Sequence, residues 1–82
     1  MSDVTIQELC LPGMVCPMPV LKAKKALAPM APGALLLVRS TDRHSLADLK
    51  AFCEQTGHVC VEQKETTDDE GVWYETLIRR KA

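Results

Sequence analysis

The chain of 82 residues is poor in aromatic side chains and has almost no net charge. It contains one Phe, one Trp and one Tyr, and its formal net charge is -1. A surface of this kind provides no general electrostatic attraction to a nucleic acid backbone, and three aromatic rings offer little for base stacking. The composition therefore argues against direct nucleic acid binding.

Long apolar segments and clustered metal ligands are also missing. No stretch approaches membrane-spanning length, and the first residues lack the basic and apolar segments of a secretory signal. The four cysteines form no Cys-x-x-Cys pair and no tight cluster with His44 or His58. We therefore expect a cytoplasmic protein with reduced thiols, no contact with a membrane, no metal site and no cofactor.

The length predicts a single domain over residues 1–82, with one hydrophobic core and no deep cleft. Such a domain must act at its surface, together with another protein or with a ligand that it carries covalently. We expect it to be a monomer when free.

Hydrophobic periodicity predicts six elements in the order strand, helix, strand, helix, strand, strand. The strands are predicted at 4–10, 34–38, 59–64 and 72–79, and the helices at 17–28 and from a cap at Asp42 or Ser45 to Gly57. The polar segment 66–71 is predicted to be a hairpin loop. Right-handed crossovers place both helices on one face of a mixed sheet. The predicted fold is a two-layer α/β (α+β) sandwich.

Cys16 lies between a glycine turn at Gly13 and two prolines, at Pro17 and Pro19. Prolines are well tolerated in the first turn of a helix, so this pattern predicts a helix with Cys16 at its N-cap. Because Pro19 has no N–H, the amide of Met18 and the helix dipole would face the sulfur and favour the thiolate. We interpret Cys16 as a reactive nucleophile. The simpler interpretation is a small buried side chain that happens to cap a helix.

The helix after Cys16 is predicted to have two different faces. The apolar face comprises Cys16, Val20, Ala23 and Leu27. The opposite face carries Met18, Lys22 and Lys25, with Lys24 nearby. These lysines either form an ordinary solvated surface or dock an acidic partner beside Cys16.

Residues 9–19, Leu-Cys-Leu-Pro-Gly-Met-Val-Cys-Pro-Met-Pro, resemble the signature of the TusA/SirA family of small sulfur carriers, roughly Leu-Asp-x-x-Gly-x-x-Cys-Pro-x-Pro. The resemblance extends along essentially the whole chain. Other similar positions are Pro32-Gly33, Asp42, Asp48-Leu49, Gly57-His58 and residues 77–81. It implies a four-stranded mixed sheet in the order 1-2-4-3, with two helices on one face.

The resemblance also implies a function. Cys16 would accept sulfane sulfur as a persulfide from a cysteine desulfurase or a rhodanese-like donor, and would pass it to an acceptor protein. In this family the sulfur serves 2-thiouridine synthesis in tRNA or other sulfur metabolism. The chemistry agrees with the residues, because a thiolate that attacks a sulfur–sulfur bond needs ionisation and access more than a general base.

Cys10 stands where the family usually has Asp, and Val15 where Arg is frequent. Two alternatives to sulfur carriage therefore stay open. Cys10 and Cys16 could form a reversible disulfide in a redox switch, provided that their α-carbons come within about 7 Å. The domain could instead be a non-catalytic regulatory module that acts through its sheet edge or a helix face.

Overall fold

The computed structural model describes residues 6–15 and 17–81. Its elements are β1 (Ile6–Leu11), α1 (Met18–Leu27), β2 (Leu35–Ser40), α2 (Ser45–Thr56), β3 (Val59–Asp68) and β4 (Gly71–Arg79). Their order confirms the predicted order. Neither helix is long and apolar enough to cross a membrane within these residues.

The four strands form one mixed sheet in the order β1-β2-β4-β3. β1 runs parallel to β2, and β4 runs antiparallel to both β2 and β3. The two helices and the sheet confirm the predicted architecture and strand order.

The core lies between the helices and the sheet. It comprises Leu11, Ala23, Leu27, Leu36, Val38, Leu49, Phe52, Cys53 and Ile78. In α1 the buried residues are Pro19, Ala23 and Leu27, whereas Val20 is only partly buried. The spacing of four residues between these buried positions keeps them on one stripe of the helix. Pro19 therefore has a packing role as well as a position in the first turn.

The predicted hairpin is present, but the loop predicted at 66–71 is too long. The two strands continue through this segment, with Thr66 opposite Trp73 and Asp68 opposite Gly71, and only two residues form the turn. β3 is an edge strand, and edge strands commonly carry charged and polar side chains. The amino-acid composition of residues 66–68 therefore resembles that of a loop, although their backbone is paired with β4.

Asp42 is not the cap of α2, because the helix begins at Ser45 after an N-cap at His44 that makes no side-chain hydrogen bond. The carboxylate of Asp42 accepts the His44 N–H at 3.0 Å, which closes a turn just before the helix. The other end is as predicted. Gly57 ends the helix with a φ of 89°, a conformation that glycine adopts at little cost.

Candidate functional site

The loop between β1 and α1 is attached to the end of the neighbouring strand. The Gly13 N–H donates to Thr41 Oγ1 at 2.9 Å. Gly13 has a φ of 73°, and a β-carbon built there would meet no atom within 4 Å. Backbone conformation rather than space therefore favours glycine at this position.

The start of α1 lies one residue later than predicted. Pro17 is the N-cap, and its carbonyl accepts the Leu21 N–H at 3.2 Å, so Pro19 is the second helical residue instead of the third. The Met18 N–H donates to the Val15 carbonyl at 2.9 Å. That amide is therefore engaged by the backbone, and the prediction that it faces the sulfur is wrong. Cys16 itself lies outside the described residues.

Three apolar side chains that flank Cys16 in sequence are exposed to solvent. Val15 is 65% exposed, Met18 38% and Leu21 52%. We call these residues the apolar patch. Exposed apolar side chains grouped in this way are typical of interaction surfaces. Sequence analysis missed Leu21, although its position three residues after Met18 places both on the same side of the helix.

The lysines of α1 differ in their exposure. Lys24 and Lys25 are exposed, whereas Lys22 is half-buried. Lys25 lies four residues after Leu21, so basic and apolar side chains share the outer surface of this helix. The predicted docking surface is therefore amphipathic rather than purely basic.

Cys10 lies in β1, in register with Arg39 of β2, and is exposed. Its neighbours Leu9 and Leu11 pack into the core. Because side chains alternate along a strand, Cys10 lies on the face of the sheet that is turned away from the helices. Cys10 is therefore separated by the sheet from the side on which α1 packs.

The remaining described cysteines are far less accessible. Cys53 is 2% exposed, and burial raises the pKa of its thiol to about 11. Cys60 is half-buried, and burial raises the pKa of this thiol as well. A thiol reacts with electrophiles as the thiolate, so both are poor nucleophiles near neutral pH.

We expect the cysteines to react with iodoacetamide in a defined order at pH 7. Cys10 reacts fast, Cys60 slowly and Cys53 only after unfolding, as peptide mass spectrometry of the alkylated protein will show. Burial raises the pKa of Cys53 to about 11 in the folded chain, above the pKa of 9.0 of an unperturbed thiol. The free energy of unfolding should therefore fall as the pH rises from 9.0 to about 11, because only the unfolded chain loses this proton readily. Rapid alkylation of Cys53 in the folded protein would contradict this order.

In the described part of the chain, no three His, Cys, Asp or Glu side chains are grouped so that they could hold a metal ion.

A model of the family described as "Sulfurtransferase TusA" matches residues 8–80. The sulfur carrier protein TusA of Allochromatium vinosum is 43% identical over 74 residues, which are 90% of this chain and 92% of that protein. A putative sulfur carrier protein of Neisseria meningitidis serogroup A is 48% identical over 59 residues, which are 72% of this chain and 80% of the relative. The crystal structure of a SirA-like protein from Desulfitobacterium hafniense superposes with a TM-score of 0.70 at 30% identity, covering 95% of this chain and 100% of that one. The chain belongs to the TusA family of sulfur carrier proteins.

Proposed function

We propose that Cys16 carries sulfane sulfur as a persulfide between a donor protein and an acceptor protein. The observation that carries the proposal is the position of Cys16 between exposed Val15 and exposed Pro17, in the segment that joins β1 to α1. Of the other cysteines, Cys53 and Cys60 have raised pKa values, because both are desolvated by burial. In the sequence, Cys16 precedes the first residue of α1 by two positions, and the N-terminal end of a helix favours a negative charge.

Each transfer exchanges one sulfur–sulfur bond for another. The Cys16 thiolate attacks the outer sulfur of a donor persulfide, the sulfur–sulfur bond of the donor breaks, and the donor cysteine leaves as a thiolate. An acceptor thiolate then attacks the outer sulfur on Cys16, and Cys16 leaves as a thiolate. The sulfur is neither oxidised nor reduced overall, and protons exchange with solvent. The rate depends on the thiolate fraction and on access to the sulfur.

Helix α1 supports this chemistry through its first turn. Pro17 and Pro19 contribute no N–H, so the turn leaves few amides that require a capping side chain. The dipole of α1 still favours negative charge beside its first residue, Met18, which follows Cys16 by two positions. The hydrogen bond from the Gly13 N–H to Thr41 Oγ1 holds the end of the loop that follows β1. Together these features favour an accessible thiolate in a loop that is fixed at both ends.

The donor is proposed to be a cysteine desulfurase or a rhodanese-like protein, and it docks on the apolar patch together with Lys22 and Lys25. A partner that complements this surface presents apolar side chains surrounded by acidic residues. The work takes place in the cytoplasm, where thiols stay reduced. Whether the sulfur is used for tRNA thiolation or for other sulfur metabolism depends on which acceptor protein receives it.

Reversing the charges in the double variant Lys22→Glu/Lys25→Glu is expected to slow sulfur loading about tenfold at low ionic strength, because rim charges mainly govern the rate of encounter. The initial rate of sulfur gain at several salt concentrations measures the effect, which salt should reduce. Lys50→Glu, at an exposed lysine of α2, is the matched control and should load normally. Equal loading rates for the double variant and the control at low salt would contradict the proposal that Lys22 and Lys25 take part in docking.

The proposed function is tested by incubating the protein with a cysteine desulfurase and cysteine, followed by intact-mass measurement. We expect the gain of one sulfur atom per chain, which a thiol reductant reverses. A protein that gains no reductant-labile sulfur from either a desulfurase or a rhodanese would overturn the proposal.

A further inference from the structure

A groove that contains three cationic side chains lies where the C-terminal ends of both helices meet Arg80 and Lys81. Its volume is about 230 Å³. The lining residues are Lys24, Leu27, Ala28, Phe52, Thr56, His58, Arg80 and Lys81. Three of them, Lys24, Arg80 and Lys81, carry a positive charge, and none is acidic. In a chain with a net charge of -1, this is a local concentration of positive charge. We call it the basic groove.

Two of the cations are fixed in place by the helix ends. Arg80 Nε donates to the Leu27 carbonyl at 2.9 Å, and Lys81 Nζ donates to the Thr56 carbonyl at 2.9 Å. These carbonyls belong to the last residues of α1 and α2, which lack partners within their own helices. A ligand would therefore meet side chains that are already ordered, which lowers the entropic cost of binding.

The hydrogen bonds to the helix ends do not occupy all of the donors of the cationic side chains in the groove. Arg80 directs two of its N–H donors to the carbonyls of Leu27 and Lys81, and a guanidinium has five such donors. Lys24 is exposed, and its side-chain ammonium makes no hydrogen bond or ion pair with any residue in 6–15 and 17–81. The ion pairs described in this protein involve Arg39, His44 and Lys64 instead. The basic groove therefore has donors left for an anion.

His58 adds a neutral donor to the wall of the groove. Its Nδ1 accepts the Lys81 N–H at 3.0 Å, so the proton of the neutral ring resides on Nε2, which can donate to a ligand. Burial and the positive charges of Lys81 and Arg80 lower the pKa of His58. The ring of His58 also contacts Phe52, with ring centroids 5.7 Å apart, and this ring pair provides an apolar floor.

We propose that the basic groove binds the phosphate group of a small phosphomonoester whose organic part lies against Phe52. The several donors suit a phosphate dianion, and the apolar floor suits an attached ring or alkyl group. The groove lies at the opposite end of α1 from Cys16. The helix has ten residues, so the separation along it is about 15 Å. The site is thus distinct from the proposed sulfur site, and either proposal can fail without the other.

The proposal is tested by NMR titration of the whole protein with phenyl phosphate and with inorganic phosphate, using chloride at matched ionic strength as the reference. We expect saturable shifts of the His58 ring and Arg80 Nε signals with both phosphates, and about twofold tighter binding of phenyl phosphate because its ring covers the small exposed part of Phe52. The bound dianion should also raise the pKa of His58, since negative charge favours the imidazolium. Chloride should do neither.

Lys24→Gln removes one cation whose ammonium makes no hydrogen bond or ion pair with the described residues, and it should weaken phenyl phosphate binding about threefold. Lys50→Gln is the matched control, because Lys50 is an exposed helical lysine that does not line the groove, and it should bind normally. Chemical shifts that increase linearly with phosphate concentration without saturating, or that chloride reproduces, would contradict the proposed site. Equal phenyl phosphate affinities of Lys24→Gln and Lys50→Gln would contradict it as well. Equal affinity for the two phosphates would overturn the assignment of a phosphomonoester.

Discussion

Cys16→Ser is expected to abolish sulfur loading, with no reductant-labile gain in mass under conditions that load the wild-type protein fully. A serine hydroxyl cannot form a persulfide, and the three cysteines that the structure describes are poorly placed to replace Cys16. Cys53 is buried in the core, Cys60 is half-buried, and Cys10 lies on the opposite face of the sheet from α1. The measurement is the intact mass after incubation with a desulfurase and cysteine.

Cys10→Ser is the matched control, and it should load as the wild type does. This pair also separates carriage from a redox switch, because a disulfide between Cys10 and Cys16 would need both thiols. An equal gain of sulfur on Cys16→Ser would contradict the assignment of the site. Loss of loading in Cys10→Ser would contradict the view that Cys16 works alone.

Leu27→Ala is expected to lower the free energy of unfolding by about 2–5 kcal/mol, because it leaves a cavity where α1 packs on the sheet. Leu27 is 1% exposed and belongs to the core. A domain of this size has a total stability of about 4–12 kcal/mol, so a large fraction of the stability would be lost. Urea unfolding followed by circular dichroism measures the change.

Leu21→Ala is a control in the same helix and with the same chemical change. Leu21 is 52% exposed, so its replacement should change the stability by less than about 0.5 kcal/mol. Because Leu21 belongs to the apolar patch, the same variant should load sulfur more slowly while it stays folded. An equal loss of stability in Leu21→Ala and Leu27→Ala would contradict the described burial of α1.

The fold could largely be predicted from local patterns. The apolar run before Arg39, the stop at Gly57 and the Cys-Pro-x-Pro start of a helix each indicate one element, and the structure has an element at each place. The strand order came from resemblance to the TusA/SirA family, because residue patterns alone do not fix which strands are neighbours. The hairpin was predicted, but its loop was predicted too long, because the polar residues from Thr66 to Asp68 belong to an edge strand and are paired with β4.

The details of the site depended on contacts that a sequence does not display. Whether Pro17 is the cap or the first helical residue is decided by its φ and ψ and by the bond it accepts from Leu21. The basic groove was missed for a different reason. Its polar side chains come from three distant parts of the chain, at Lys24, at His58, and at Arg80 and Lys81, and no local sequence pattern brings them together.

The central claim is that one sulfur atom resides on Cys16 only in transit, and a pulse and chase with isotopically labelled cysteine tests it most directly. The protein is loaded by a desulfurase, separated from the donor and mixed with a thiol-bearing acceptor protein. The account predicts that the label first appears on the peptide containing Cys16 and then moves to the acceptor, leaving the Cys16 thiol free. Label that never reaches Cys16, or that stays there while the acceptor gains none, would contradict it.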